Sequence, residues 1–178
     1  LLTIAPAVLV SLFAVVFFHA GVQAWFHKRI DTALMESVAV AEAYVNEHRE
    51  IIRADAIAMA NDLDIQAHRL ISSPGLLNRI VTSQAALRSL TEGVIIQRNR
   101  IIAQTALTFA LAFEQVGSDR LEQAASGDVV VWIEEDDKLR AMVRLHSMPD
   151  TYLIIGRLID EKVIQHMDSA TGAVAEYG

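Results

Sequence analysis

The chain has 178 residues, of which 53% are hydrophobic, and it carries 15 Lys and Arg against 22 Asp and Glu. Its formal net charge of −7 disfavours nucleic acid as a partner, because proteins that bind it are usually basic. The absence of cysteine excludes disulfides, thiolate metal sites and cysteine nucleophiles together.

The first element is an uncharged apolar stretch, because no Asp, Glu, Lys or Arg precedes Lys28. About 20 apolar residues are needed to cross a bilayer as a helix. We therefore predict a transmembrane helix over residues 1–26, with Trp25 and Phe26 in the headgroup layer. A signal peptide and a buried core helix are the alternatives, and the uncharged length disfavours both. The residues alone leave the orientation of the span open.

Helical spacing of apolar residues continues beyond the span and predicts a juxtamembrane helix over residues 27–72. Its stripe lies close to heptad phase, which predicts that two chains pack together as a homodimer. The positions assigned to this dimer and signalling contact are Leu34, Val38, Val45, Ile52 and Met59. A helix running unbroken from residue 1 to residue 72 would link the membrane mechanically to whatever follows it.

A sensor-sized domain is predicted over residues 73–159, after the helix-breaking stretch SSPG at 72–75. Its elements are a helix over 76–90, a hairpin over 93–105 turning at Arg98 and Asn99, one or two short helices over 106–128, and strands over 129–135, 138–147 and 151–159. A C-terminal helix is predicted over 160–178. The predicted class is α+β, with a long helix and a small antiparallel sheet.

Catalytic motifs are absent, and the six histidines do not have metal-ligand spacing, so we predict no catalytic residue, metal or cofactor in this region. The acidic run at 134–137 lacks the spacing of a calcium loop, which favours a solvated hairpin turn.

One group of residues is a candidate ligand-binding site. Strict alternation along 138–147 places Arg140, Arg144 and His146 on one strand face. Guanidinium groups suit carboxylates, and Trp132 and Tyr152 on neighbouring strands would supply aromatic walls. The competing interpretation is an ordinary solvent-exposed polar face, which antiparallel sheets commonly have and which the pattern favours.

The stretch VAVAEAYVNEHREIIRADAIAMANDLD, residues 38–64, resembles the NtrY-type nitrogen-regulation sensor histidine kinases. Residues 1–17 are similar to the membrane helix before their sensor region, and residues 152–177 to the segment leading to their next membrane helix. The pattern of 93–150 also resembles PAS-like Cache sensor domains.

The resemblance implies a periplasmic sensor and transmembrane signalling region, with residues after about 27 outside the inner membrane. It also implies cytoplasmic kinase domains that use ATP and Mg²⁺ and phosphorylate a response regulator, none of whose motifs occur here. The parent protein would be the enzyme, and this region would be non-catalytic. The alternatives are the sensor module of a chemoreceptor or cyclase, and a membrane-anchored protein-interaction module without a small ligand.

Overall fold

The computed structural model describes residues 10–13, 23–70, 72–110, 116–134 and 138–160. Most of the predicted span 1–26, and the predicted C-terminal helix beyond Asp160, lie outside these ranges. Within them, none of the helices combines the length and the apolarity that crossing a bilayer requires. The chain divides into two compact units, Leu1–Ala43 with Gln165–Gly178 and Tyr44–Ile164, and the sheet belongs to the second.

The predicted α+β fold is confirmed, with a long helix packed on a five-stranded antiparallel sheet. The helices are α1 (Gln23–Ile65), α2 (Ala67–Leu70), α3 (Pro74–Leu87), α4 (Ala106–Ala110) and α5 (Ser118–Ala125). The strands are β1 (Glu92–Gln97), β2 (Arg100–Gln104), β3 (Val130–Ile133), β4 (Lys138–Arg144) and β5 (Thr151–Leu158). The strand order is β2-β1-β5-β4-β3, so β5, the last of the described strands, lies in the centre of the sheet.

Helix α1 ends at Ile65, whereas the sequence predicted a helix as far as residue 72. The Gln66 side chain donates a hydrogen bond to the carbonyl of Asp62, at 3.3 Å. The Gln66 backbone N–H instead bonds the carbonyl of Leu63, at 3.2 Å. The side chain thus competes with the helical backbone ladder, which is interrupted at this residue before α2 begins.

The predicted hairpin at Arg98 and Asn99 is formed by β1 and β2. Both residues have positive φ, 47° and 60°. This is the conformation of a two-residue type I′ turn, whose twist matches that of antiparallel strands.

Each face of the sheet buries a hydrophobic cluster. The larger cluster combines residues of α1, α2 and α3 with one face of the sheet, including Ile52, Met59, Leu63, Val81, Leu139 and Ile155. The smaller cluster on the opposite face includes Ala124 of α5, Val94, Trp132, Met142 and Ile154. Burial on both faces explains why the central strand β5 carries a nearly continuous apolar run.

Polar contacts join α1 to the connections of the sheet. The Asp64 carboxylate accepts the backbone N–H groups of His146 and Ser147, each at 2.9 Å, in the connection between β4 and β5. Arg53 donates to the carbonyl of Val129, which precedes the edge strand β3, at 3.2 Å. At the other edge, the Asn78 side chain of α3 accepts the backbone N–H of Gln104, at 2.9 Å.

Candidate functional site

A row of four residues crosses the sheet at one level. Glu92 on β1 lies opposite Gly156 on β5, Gly156 lies opposite Arg140 on β4, and Arg140 lies opposite Trp132 on β3. Directly opposite residues in a sheet share a face. The row therefore places a carboxylate, a guanidinium and an indole side by side on the face that α5 covers.

Arg140 and Glu92 form a buried, bidentate ion pair. The Nε of Arg140 donates to Oε2 of Glu92 at 2.6 Å, and Nη2 donates to Oε1 at 3.0 Å. Their side chains are only 5% and 6% exposed. Burial lowers the pKa of Arg140, but the hydrogen bond and charge of Glu92, reinforced by Glu134, raise it overall. The guanidinium is thus held charged and fixed in orientation.

The ion pair spans two strands because the residue between its partners has no side chain. A Cβ built on Gly156 would lie 2.6 Å from Oε2 of Glu92 and 2.9 Å from its Cβ. A Cβ atom does not approach other heavy atoms this closely, so the Glu92 side chain uses the space above Gly156 to reach Arg140.

Replacing Gly156→Ala is expected to destabilise the fold by about 1–3 kcal/mol, because the new methyl group displaces the Glu92 side chain. Urea unfolding followed by circular dichroism measures the change. Gly75→Ala is the matched control. Gly75 lies in the first turn of α3, and a Cβ added there meets nothing within 4 Å. Equal stability of the two variants would contradict the close approach.

Glu134 joins the row from the end of β3 and gathers three donors on one oxygen. Its Oε1 accepts from the Trp132 indole at 2.5 Å, from Nη1 of Arg140 at 3.0 Å and from Nη1 of Arg120 at 3.3 Å. The Arg120 guanidinium, on α5, also lies 4.6 Å from the centre of the Trp132 ring. These contacts connect α5 to the sheet through a single carboxylate.

The pKa of Glu134 is lowered below its ordinary value of 4.5. Burial alone raises this pKa, but the hydrogen bond from Trp132 and the charges of Arg140 and Arg120 outweigh it. A carboxylate with a lowered folded-state pKa stabilises the fold above its unfolded-state pKa, and the contribution is lost as the pH falls through the folded-state value.

We expect Glu134→Gln to be less stable than wild type by roughly 1–3 kcal/mol at neutral pH, because the amide carries no charge for the two arginines. The difference should shrink as the pH falls below 4.5. Unfolding curves between pH 3 and pH 7 are the measurement, with Glu122→Gln on the exposed side of α5 as the control. A difference that grows on acidification would contradict the assigned contacts.

The structure brings only some of the predicted ligand-binding residues together. Arg140 and Trp132 meet in the row, and Arg144, four residues further along β4, lies opposite Tyr152. Arg144 donates to the carbonyl of Ala125, at 3.1 Å, and so contacts the end of α5. His146 lies beyond the end of β4, is 76% exposed, and has its imidazole 3.7 Å from Asp64. The ligand role of these five residues stays a prediction.

The interpretation of this strand face as an ordinary solvent-exposed one is wrong. Arg140, Met142 and Trp132 are buried, because α5 packs on this face and Met142 and Trp132 belong to the smaller hydrophobic cluster. The acidic run is also not wholly solvated, since the Glu134 side chain is only 21% exposed. Residues 135–137 lie outside the described ranges. Within those ranges, no group of three or more His, Asp or Glu is placed to hold a metal ion.

Sequence reasoning did not identify three members of the polar group around Arg140, which are Glu92, Glu134 and Arg120. An arginine within an apolar strand predicts a buried carboxylate partner, so Arg140 was itself an indication that one exists. The sequence does not reveal which of the 22 acidic residues it is.

The predicted dimer positions on α1 are divided between two environments. The side chain of Leu34 lies outside the described residues, and Val38 is half-buried. Val45 is buried, and Ile52 and Met59 are fully buried in the larger cluster. A second chain cannot contact Ile52 or Met59 without opening the core of the first. The assignment of the stripe to a dimer stays a prediction.

Solved sensor domains share this arrangement of a long helix before an antiparallel sheet. The ligand-binding domain of the Campylobacter jejuni chemoreceptor Tlp3 matches with a TM-score of 0.52 and 10% identity, over 84% of this chain and 65% of that one. The sensor domain of the Vibrio cholerae histidine kinase DctB matches with a TM-score of 0.51 and 11% identity, over 82% and 60%. The fold is therefore that of bacterial sensor domains.

The family model described as the NtrY N-terminal region matches residues 1–178, and the chain belongs to this family. The putative sensor histidine kinase NtrY-like of Rickettsia conorii is 38% identical over 174 residues, 97% of this chain and 29% of that protein. The nitrogen regulation protein NtrY of Azorhizobium caulinodans is 31% identical over 177 residues, 98% of this chain and 23% of that protein. The chain thus spans under a third of these relatives, and the predicted resemblance to NtrY-type proteins is confirmed.

Proposed function

We propose that the chain is the extracytoplasmic sensor and transmembrane signalling region of a two-component histidine kinase. The observation that supports this most directly is the match of the NtrY N-terminal region over the whole chain. The complete protein would use ATP and Mg²⁺ in kinase domains outside this region and would phosphorylate a response regulator. Its location would be the bacterial inner membrane, with the residues after about 27 in the periplasm.

The sheet is proposed to report its state through α1. Asp64 lies near the end of α1 and holds the connection between β4 and β5 by two charge-assisted hydrogen bonds. Arg157 on β5 also donates to Asp55 of α1, at 3.0 Å. A displacement of β4 or β5 is therefore passed to the helix at two levels, 55 and 64.

The test is autophosphorylation of the complete protein in membrane vesicles. Asp64→Asn weakens both hydrogen bonds, and we expect it to change phosphate incorporation at least threefold without changing the amount of protein in the membrane. Asp128→Asn, at an exposed position outside the described hydrogen bonds and ion pairs, is the control. Absence of incorporation from ATP would contradict the kinase function, and equal incorporation in both variants would contradict transmission through Asp64.

A homodimer is proposed to form along the outer side of α1. Ile51, Ala54, Ala58 and Ile65 are exposed and are spaced by three, four and seven residues, on the side away from the core. The chain lacks cysteine, so a cysteine placed at Ala58 is its single thiol. If two chains meet along this surface, oxidation in the membrane should join them by a disulfide at this position. Ser83→Cys, on α3, is the control. Equal crosslinking at both positions would contradict this surface.

A small anionic ligand is proposed for the face that carries Arg140, Arg144, Trp132 and Tyr152. This proposal is supported by the two arginines and the two aromatic residues that share the face. His146 is the weakest member of the predicted set, because its side chain is directed to Asp64.

A further inference from the structure

The carboxylate of Glu134 occupies a position with the geometry of an anion site. One oxygen receives an indole N–H and two guanidinium N–H groups, from three different elements of the domain. Convergent charged donors of this kind are typical of sites that recognise carboxylates.

Arg140 and Trp132 are held in place by contacts other than those with Glu134. Arg140 is fixed by its bidentate pair with Glu92, and the Trp132 ring is buried in the smaller cluster. Arg120 packs on that ring and is 34% exposed, so the site opens towards solvent on the α5 side. A site whose donors are pre-organised loses little on exchange of the acceptor.

The charges around Glu134 favour an acceptor that carries a single negative charge. Arg140 and Arg120 carry two positive charges, and Glu92 balances one of them. Removal of Glu134 takes one negative charge out of these described ion pairs, and an incoming anion would restore it. A small carboxylate restores both the charge and the planar acceptor that the three donors require.

We propose that Glu134 is the internal occupant of a carboxylate-binding site formed by Arg140, Arg120 and Trp132, and that an external small carboxylate binds by taking its place. The proposal rests on the proposed sensing function and names the regulation of its site. Exchange releases the Glu134 side chain at the end of β3, while Arg140 and Trp132 stay where they are. Because the external carboxylate must displace the Glu134 side chain, a higher ligand concentration is needed before the domain responds.

The test removes the internal carboxylate and supplies an external one. In the whole chain, Glu134→Ala leaves the three donors without their shared acceptor and should lower Tm. Sodium acetate should restore it, with a rise of about 3–6 °C at ten times the dissociation constant. Sodium chloride of equal ionic strength should not. Glu122→Ala, which removes an exposed carboxylate from α5, is the matched control and should show no specific effect of acetate.

A second variant keeps the test decisive if Glu134→Ala does not fold. In Glu134→Gln the acetate competes with a neutral amide, so it should bind at about tenfold lower concentration than in wild type. Titration of the Trp132 fluorescence in a Trp25→Phe background measures this. Equal acetate affinity in wild type and Glu134→Gln, or equal stabilisation of all variants, would overturn the proposal.

The outcome separates this proposal from the sensor function. If acetate does not stabilise Glu134→Ala but Asp64→Asn still changes kinase activity, the carboxylate site alone is overturned. Rescue by acetate in a protein that incorporates no phosphate supports the site and overturns the kinase function.

Discussion

Replacing Arg140→Met is expected to destabilise the fold by about 3–5 kcal/mol, the cost of leaving a buried carboxylate without its partner. Glu92 is 6% exposed and receives both of its described hydrogen bonds from Arg140. The methionine fills most of the volume but donates nothing. Chemical denaturation at pH 7 measures the loss.

The double variant Glu92→Leu with Arg140→Met should regain much of the lost stability, because it removes the stranded charge and leaves Glu134 with Arg120 and Trp132. Arg69→Met, at an exposed position on α2, should change stability by about 0.5 kcal/mol or less. Equal stability of the single and double variants would show that Glu92 finds another partner.

Replacing Met59→Ala is expected to cost about 2–5 kcal/mol, because the side chain is fully buried between α1 and the sheet. The loss should be the same over a hundredfold range of protein concentration, since the cavity forms within one chain. A contact between two chains would instead give a stability that depends on concentration.

Met35→Ala is the matched control for Met59, because Met35 is on the same helix and is 61% exposed. Its effect should stay within about 0.5 kcal/mol. A concentration-dependent loss in Met59→Ala would place this residue in a dimer contact, as the heptad spacing predicted.

Local patterns predicted the elements well where backbone chemistry decides them. The turn at Arg98 and Asn99 and the break before Pro74 both lie where they were expected. Helix α1 was predicted too long because a side-chain contact, that of Gln66 with Asp62, interrupts it. The spacing of apolar residues, from which the helix was predicted, carries no information about such a side-chain contact.

The site was predicted only in part because its partners are separated by a strand. Arg140 and Trp132 are neighbours across one hairpin, and local alternation is enough to pair them. Glu92 reaches Arg140 only because β5 inserts between β1 and β4 and carries Gly156 at the crossing. That relation depends on strand order and register, which are properties of the assembled sheet.

Side chains of the helices bond to the backbone at both edges of the sheet, and this affects whether two molecules can associate through their edge strands. An open border offers unpaired backbone groups to a strand from a neighbouring molecule, the first step of aggregation. Here Asn78 engages the N–H of Gln104 at one border, and Arg53 engages the carbonyl of Val129 at the other. Strand addition at these two backbone groups is thereby disfavoured.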